Sequence, residues 1–218
     1  MPRSAPISTL APWQWDRTAC LQDLANYEQL LQGNTDLTER NDILPFFAAH
    51  ADLVALLGSF HPNITTYDRL AVEVRLSGEF VADTVIGDRA NNALCLVEFE
   101  EARTNSLFVP RQRRTTDWSP RFEHGFSQIV DWLWLFDEYD STLLFEHQFG
   151  PRPIDIYTLL VVGRDSSVSS IDRRRLQWRR NHVVVNSHHI YCCTFEDLLP
   201  RFRQRLRAFT EGGTSEPQ

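Results

Sequence analysis

The sequence predicts an α/β fold, a mixed central sheet flanked by helices with an N-terminal helical appendage. Three observations predict it. Segments 66–76, 80–86 and 93–100 are rich in apolar and β-branched residues, the first alternating with charged ones, and follow one another across short turns, as antiparallel strands do. Segment 154–162 is an almost unbroken apolar run, the pattern of a strand covered on both faces. Stretches of helical period stand before, between and after these strands. With 218 residues the chain can bury one sizeable core.

The first helix is expected over 13–32, where Cys20, Leu24, Tyr27 and Leu31 recur at helical spacing and Gly33-Asn34 supplies the stop. It defines an appendage over 1–38, ahead of a main domain over 39–210 and a tail over 211–218 whose composition reads as disordered. A second helix is expected over 41–57, with Phe46, Phe47, Leu53, Val54 and Leu57 apolar and Pro45 in the first turn, where a missing amide is harmless. Glu39 and Asp42 fall near its start, where carboxylates complement the helix dipole. In strand 66–76, Leu70, Val72 and Val74 alternate with Arg69, Glu73 and Arg75, and Ser77-Gly78 turns the chain.

The next strand carries Asp83 on the face of Val81 and Val85, and Gly87-Asp88 with Asn91-Asn92 reverses the chain. Its neighbour puts Leu94, Leu96, Glu98 and Glu100 on one face, and Cys95, Val97 and Phe99 on the other. Charges in so apolar a setting need partners. A divalent cation held by Asp83 and Glu98 supplies one, since magnesium and manganese take carboxylate oxygens and keep waters available for activation. The plain alternative for Glu100 is a solvated strand end.

Pro120 opens a long helix over 121–139 whose stripe of Phe122, Phe126, Ile129, Leu133 and Phe136 should lie on the sheet, with Gln128 and Trp132 beside it one turn apart. After the apolar strand, Ser169 or Ser170 caps a helix through Arg180. Segment 183–185 is short and apolar, 188–195 reads as a strand, and Thr194 caps a terminal helix over 195–209 whose Glu196 and Asp197 suit its positive end.

Every basic residue is arginine, and the net charge of −7 argues against indiscriminate binding to nucleic acid. Local clusters remain: Arg111, Arg113 and Arg114 in one loop, and Arg173, Arg174, Arg175, Arg179 and Arg180 around Trp178. Such forks suit phosphates, and equally the solvated face of a lysine-free protein. Cys20, Cys95, Cys192 and Cys193 show neither a disulfide frame nor a zinc spacing, so a reducing cytoplasm is expected. No stretch approaches the ~20 apolar residues of a membrane span, and no membrane partner is expected. Hydrolase triads and glycine-rich phosphate loops are absent, and no histidine, His124 included, is assigned a role.

An acid on one strand, followed about fifteen residues later by Glu98-Phe99-Glu100 at the end of a hydrophobic strand, resembles the PD-(D/E)xK nuclease superfamily. Glu100 stands where that superfamily usually has lysine. The later elements are similar to Shedu, a bacterial anti-phage defence nuclease family: SQIVDW on the long helix, a strand ending VVGR, an arginine-rich helix, and a strand leading into TFEDLL. The likeness spans roughly 39–209. It implies a metal-dependent endonuclease acting on phage DNA, with magnesium or manganese as cofactor and assembly into homo-oligomers. Asp83 and Glu98 would be its metal ligands, Glu100 would fill the lysine position and orient or deprotonate the attacking water, and Gln128 would be the helix glutamine. Arg103, with Arg111, Arg113 and Arg114, would contact the nucleic acid. The alternative is a nuclease-fold protein that binds nucleic acid or a partner subunit without cutting.

Overall fold

A mixed seven-stranded sheet forms the centre of the molecule, seen in a computed structural model that describes residues 2–77, 80–111 and 115–211. Its strands are β1 (Ala11–Pro12), β2 (Arg69–Ser77), β3 (Phe80–Asp88), β4 (Ala93–Phe99), β7 (Asp155–Val161), β8 (Val184–Val185) and β9 (His188–Cys193). They lie in the order β1-β2-β3-β4-β7-β9-β8. A separate ribbon pairs β5 (Phe108–Val109) with β6 (Asp117–Trp118). β2, β3 and β4 form an antiparallel meander, whereas β7 joins β4, and β9 joins β7, in parallel. Every residue of β4 is buried, as its place between β3 and β7 requires.

Alternation on β4 divides the core as expected. Leu94 and Leu96 pack with Phe122, Ile129 and Leu133 of α4 (Pro120–Tyr139) and Leu176 of α6 (Ser170–His182). Cys95, Val97 and Phe99 face the opposite layer, made by α1 (Arg17–Gly33), α2 (Leu44–Ala49), α3 (Ala51–Ala55) and α7 (Phe195–Glu211). A short α5 (Leu143–Phe149) follows α4. Among the described residues no single helix is long and apolar enough to cross a membrane. The four cysteines are buried free thiols.

The helix expected over 41–57 is broken. A π-helical turn (Glu39–Ile43) precedes α2, the chain bends by 90° near His50, and α3 runs into a 3-10 turn (Leu56–Phe60). His50 causes the break: its Nδ1 lies 2.7 Å from the Phe46 carbonyl oxygen, the acceptor that the His50 amide would use in a continuing helix. Its ring also stacks on Phe46 at 4.0 Å. The strand expected from Thr66 starts at Arg69, because the Asp88 carboxylate draws in the amides of Thr65 and Thr66 at 2.9 and 3.0 Å. The first helix starts later than expected, at Arg17, capped by Asp16, whose side chain accepts from the amides of Thr18 and Ala19. The strand expected through 195 ends at Cys193, since Thr194 caps α7 through a 3.3 Å bond from the Asp197 amide. Gly78, Arg113, Arg114 and residues 212–218 lie outside the described residues.

Arg164 ties the N-terminal helix to this frame. Its guanidinium donates to the carbonyls of Leu31 (2.8 Å) and Asn34 (2.5 Å) at the end of α1, and pairs with Glu196 at the start of α7. Tyr27 adds a buried 2.8 Å hydrogen bond to the Phe195 carbonyl.

Candidate active site

The register of the β3–β4 hairpin builds the site. Its last recorded pair on this side is Thr84 with Val97, so the next step sets Asp83 opposite Glu98. The ladder stops there, and the Asp83 carboxylate takes over the free amide of Phe99 at 2.8 Å. On the other flank of β3, Glu73 of β2 adopts a φ of +51° and interrupts the pairing at the same level. Asp83 and Glu98 thus face each other across the hairpin, and the charge of each opposes ionisation of its neighbour. Glu98 Oε2 is buried and has no hydrogen-bond partner among the described residues.

Glu100 is 1% exposed, so the solvated-strand-end alternative is overturned. It is buried because α4 crosses β4 closely at Gly125. A Cβ there would meet Leu160 Cδ1 at 2.7 Å and Glu100 Cγ at 3.0 Å. Three groups converge on the acids from outside the hairpin. His124 Nδ1 lies 2.9 Å from Glu100 Oε1. Arg121 reaches Glu39 and Glu100 at 3.7 Å each, and Glu101 at 3.4 Å. Glu39 arrives because Leu37 and Ala102 form an antiparallel bridge that lays the π-helical turn beside the end of β4. Asp42, by contrast, serves the turn itself, accepting from the amide and hydroxyl of Thr38 at 2.7 Å.

So many carboxylates in a dry site are hard to ionise. Burial, then the charges of Glu39 and Glu100, push Asp83 up to about 7 against the pull of the Phe99 amide. Burial and the neighbouring acids hold Glu98 well above the usual carboxylate range. Burial also raises Glu100, with the His124 hydrogen bond opposing it.

Asp83, Glu98 and Glu100 therefore come together. Gln128 lies one turn beyond His124 on α4, and its buried Oε1 has no hydrogen-bond partner among the described residues. Trp132 is core, 1% exposed. Arg103 sits just past β4, 3.7 Å from Glu101. Arg111 is neutralised by Asp117 of β6 at 3.0 Å. In the second arginine cluster, Arg173 pairs with Asp165 and Asp197, Arg175 with Asp172, and Arg179 with Glu123, which gives these three a place in packing α6. Sequence reading gave Glu39 a capping role and His124 none, and it did not single out Arg121 or Gly125.

A family model described as Shedu protein SduA, C-terminal, matches residues 36–199, well over half of the chain. The chain belongs to that family. Membership in Shedu suggests a role in antiphage defence. No curated protein matches the chain. The Shedu match begins just after α1 and takes in Glu39, Asp83, Glu98, Glu100, His124 and Gln128. Among the described residues of this Shedu domain, no group of three or more histidine, cysteine, aspartate or glutamate side chains is disposed to hold a metal ion.

Proposed function

We propose that this Shedu domain is a divalent-metal-dependent endonuclease that hydrolyses phosphodiester bonds of phage DNA in bacterial antiviral defence. One observation carries the reading: strand register sets two acids, Asp83 and Glu98, opposite each other, where the buried Glu98 Oε2 has no hydrogen-bond partner among the described residues. The donor set fits magnesium or manganese, hard cations that are satisfied by two carboxylates plus waters and substrate oxygens. Asp83 and Glu98 would hold the ion, which supplies Lewis-acid stabilisation of charge developing on the phosphate.

The remaining groups divide the other tasks. Glu100, buried and raised, is suited to take the proton of the attacking water, and His124 against its Oε1 can pass that proton to solvent. Arg121, half exposed, offers a cation to the phosphate in a site without lysine. Gln128 orients a water that donates to its unsatisfied Oε1, or the backbone through its amide NH2. Arg103, Arg111, Arg113 and Arg114 contribute backbone contacts, and the active form is a homo-oligomer.

Purified protein is expected to nick plasmid DNA with magnesium or manganese and to lose that activity in Asp83→Ala. The second reading, a nuclease-fold protein that binds without cutting, is favoured by Glu100 in place of lysine and by the lack of a preformed three-ligand cluster among the described residues. Persistent binding with no cleavage under either metal would select it.

A further inference from the structure

The arginines differ in what they touch. Arg203 on α7 is paired with Glu28 at 2.8 Å, in the manner of most surface arginines. Arg180, Arg201 and Arg205 make no salt bridge among the described residues. Arg180 donates to the Cys192 carbonyl and the Tyr191 hydroxyl, both at 3.0 Å. Arg201 donates to the Ser59 carbonyl, and Arg205 to the Tyr67 hydroxyl at 2.8 Å and the Thr65 carbonyl at 3.3 Å. Neutral acceptors orient these guanidiniums and leave the charge uncancelled.

Each of the three also lies over an aromatic ring: Arg180 over Tyr191 at 4.0 Å, Arg201 over Phe60 at 5.4 Å and Arg205 over Tyr67 at 5.9 Å. A cavity of about 430 Å³ lies between Arg180 and Arg201. A second, of about 150 Å³, shares the Arg201 and Gln204 walls and reaches Arg205. Asp197 also borders the first, but its carboxylate is engaged by the Thr194 amide at 3.0 Å and by Arg173 at 3.3 Å. The groove runs along α7, on the face of the sheet opposite the one that carries Glu98 and Glu100.

We infer that this groove is a second nucleic-acid surface, which takes the phosphodiester backbone of an unpaired strand on Arg180, Arg201 and Arg205. Guanidiniums in a row, held by the rings beneath them, supply phosphate contacts, and Tyr157, a partly exposed ring in the wall of the larger cavity, supplies a face on which a base stacks. The surface compensates for a net charge of −7 that by itself repels a polyanion. The choice of ligand rests on the nuclease reading, but the surface is tested without cleavage.

Binding of fluorescein-labelled oligo(dT) to the full chain, read by anisotropy in EDTA over a series of salt concentrations, tests it. Each phosphate contact on a single strand contributes about 0.7 to the slope of log affinity against log salt. The triple variant Arg180→Gln, Arg201→Gln, Arg205→Gln is expected to bind more weakly and to flatten that slope by about 2. The triple lysine variant should keep the slope, which separates lost charge from lost packing, and Arg203→Gln should change nothing. An unchanged slope in the glutamine variant, or an equal loss in the lysine variant, overturns the inference. A chain that cuts nothing yet shows the three-arginine slope would sink the nuclease reading and support this one.

Discussion

Burial raises both Asp83 and Glu98 above the ordinary carboxylate range in the metal-free chain, and folding stability should register it. An acid whose folded pKa lies above its unfolded value contributes stability at low pH and loses it as pH rises through the folded value. With Asp83 raised to about 7 and unfolded carboxylates near ~4, metal-free protein should lose stability between those two limits. Thermal melts in EDTA at pH 5 and pH 8 measure this. Asp83→Asn should remove most of the drop and raise Tm at pH 8 by about 5 °C, while adding manganese at pH 8 should stabilise the wild type and not the variant. Gly125 is the other residue on which the site turns. Gly125→Ala forces its Cβ against Leu160 and Glu100, so a loss of ~1–3 kcal/mol is expected, measurable by urea unfolding, together with reduced plasmid nicking.

At the level of elements, the clasp made by Arg164 explains how α1 is held. The guanidinium is mostly buried and joins the end of α1, the loop after β7 and the start of α7. Arg164→Ala leaves buried carbonyls and Glu196 without their donor, a loss of about 3 kcal/mol. Limited proteolysis should then cut between α1 and the π-helical turn, where the wild type resists. The break at His50 is equally specific. Apolar spacing over 41–57 reads as one helix, and nothing in the spacing reveals that an imidazole takes the Phe46 carbonyl. Strands fared better: the hairpin over β3 and β4 was legible because turn residues separate two apolar, β-branched runs, and the alternation of side chains along a strand assigned both faces of β4.

For the whole molecule, the layer formed by α1 matters more than its position ahead of the Shedu match implies. Cys20, Leu24, Tyr27 and Leu31 share a core with Phe47, Phe99, Phe195 and Phe202. Deleting residues 1–35 should therefore yield a chain without a cooperative melt by circular dichroism, whereas Leu21→Ala, at an exposed position of the same helix, should melt as the wild type does. The charge pattern also belongs to this scale. The second arginine cluster of the sequence divides in the fold: Arg173, Arg175 and Arg179 pair with acids around α6, whereas Arg180 makes no salt bridge among the described residues and joins Arg201 and Arg205 of α7.

The sequence by itself determined the α/β architecture, the two faces of β4, and the candidate acids Asp83, Glu98 and Glu100, because strand and helix periods are local properties of the chain. Only the tertiary structure decided that Asp83 faces Glu98 and takes the Phe99 amide, that Glu100 is buried against Gly125 and His124, and that Arg121 and Glu39 lie beside them. Those relations join residues far apart in sequence through strand register and helix crossing, and no local pattern records them.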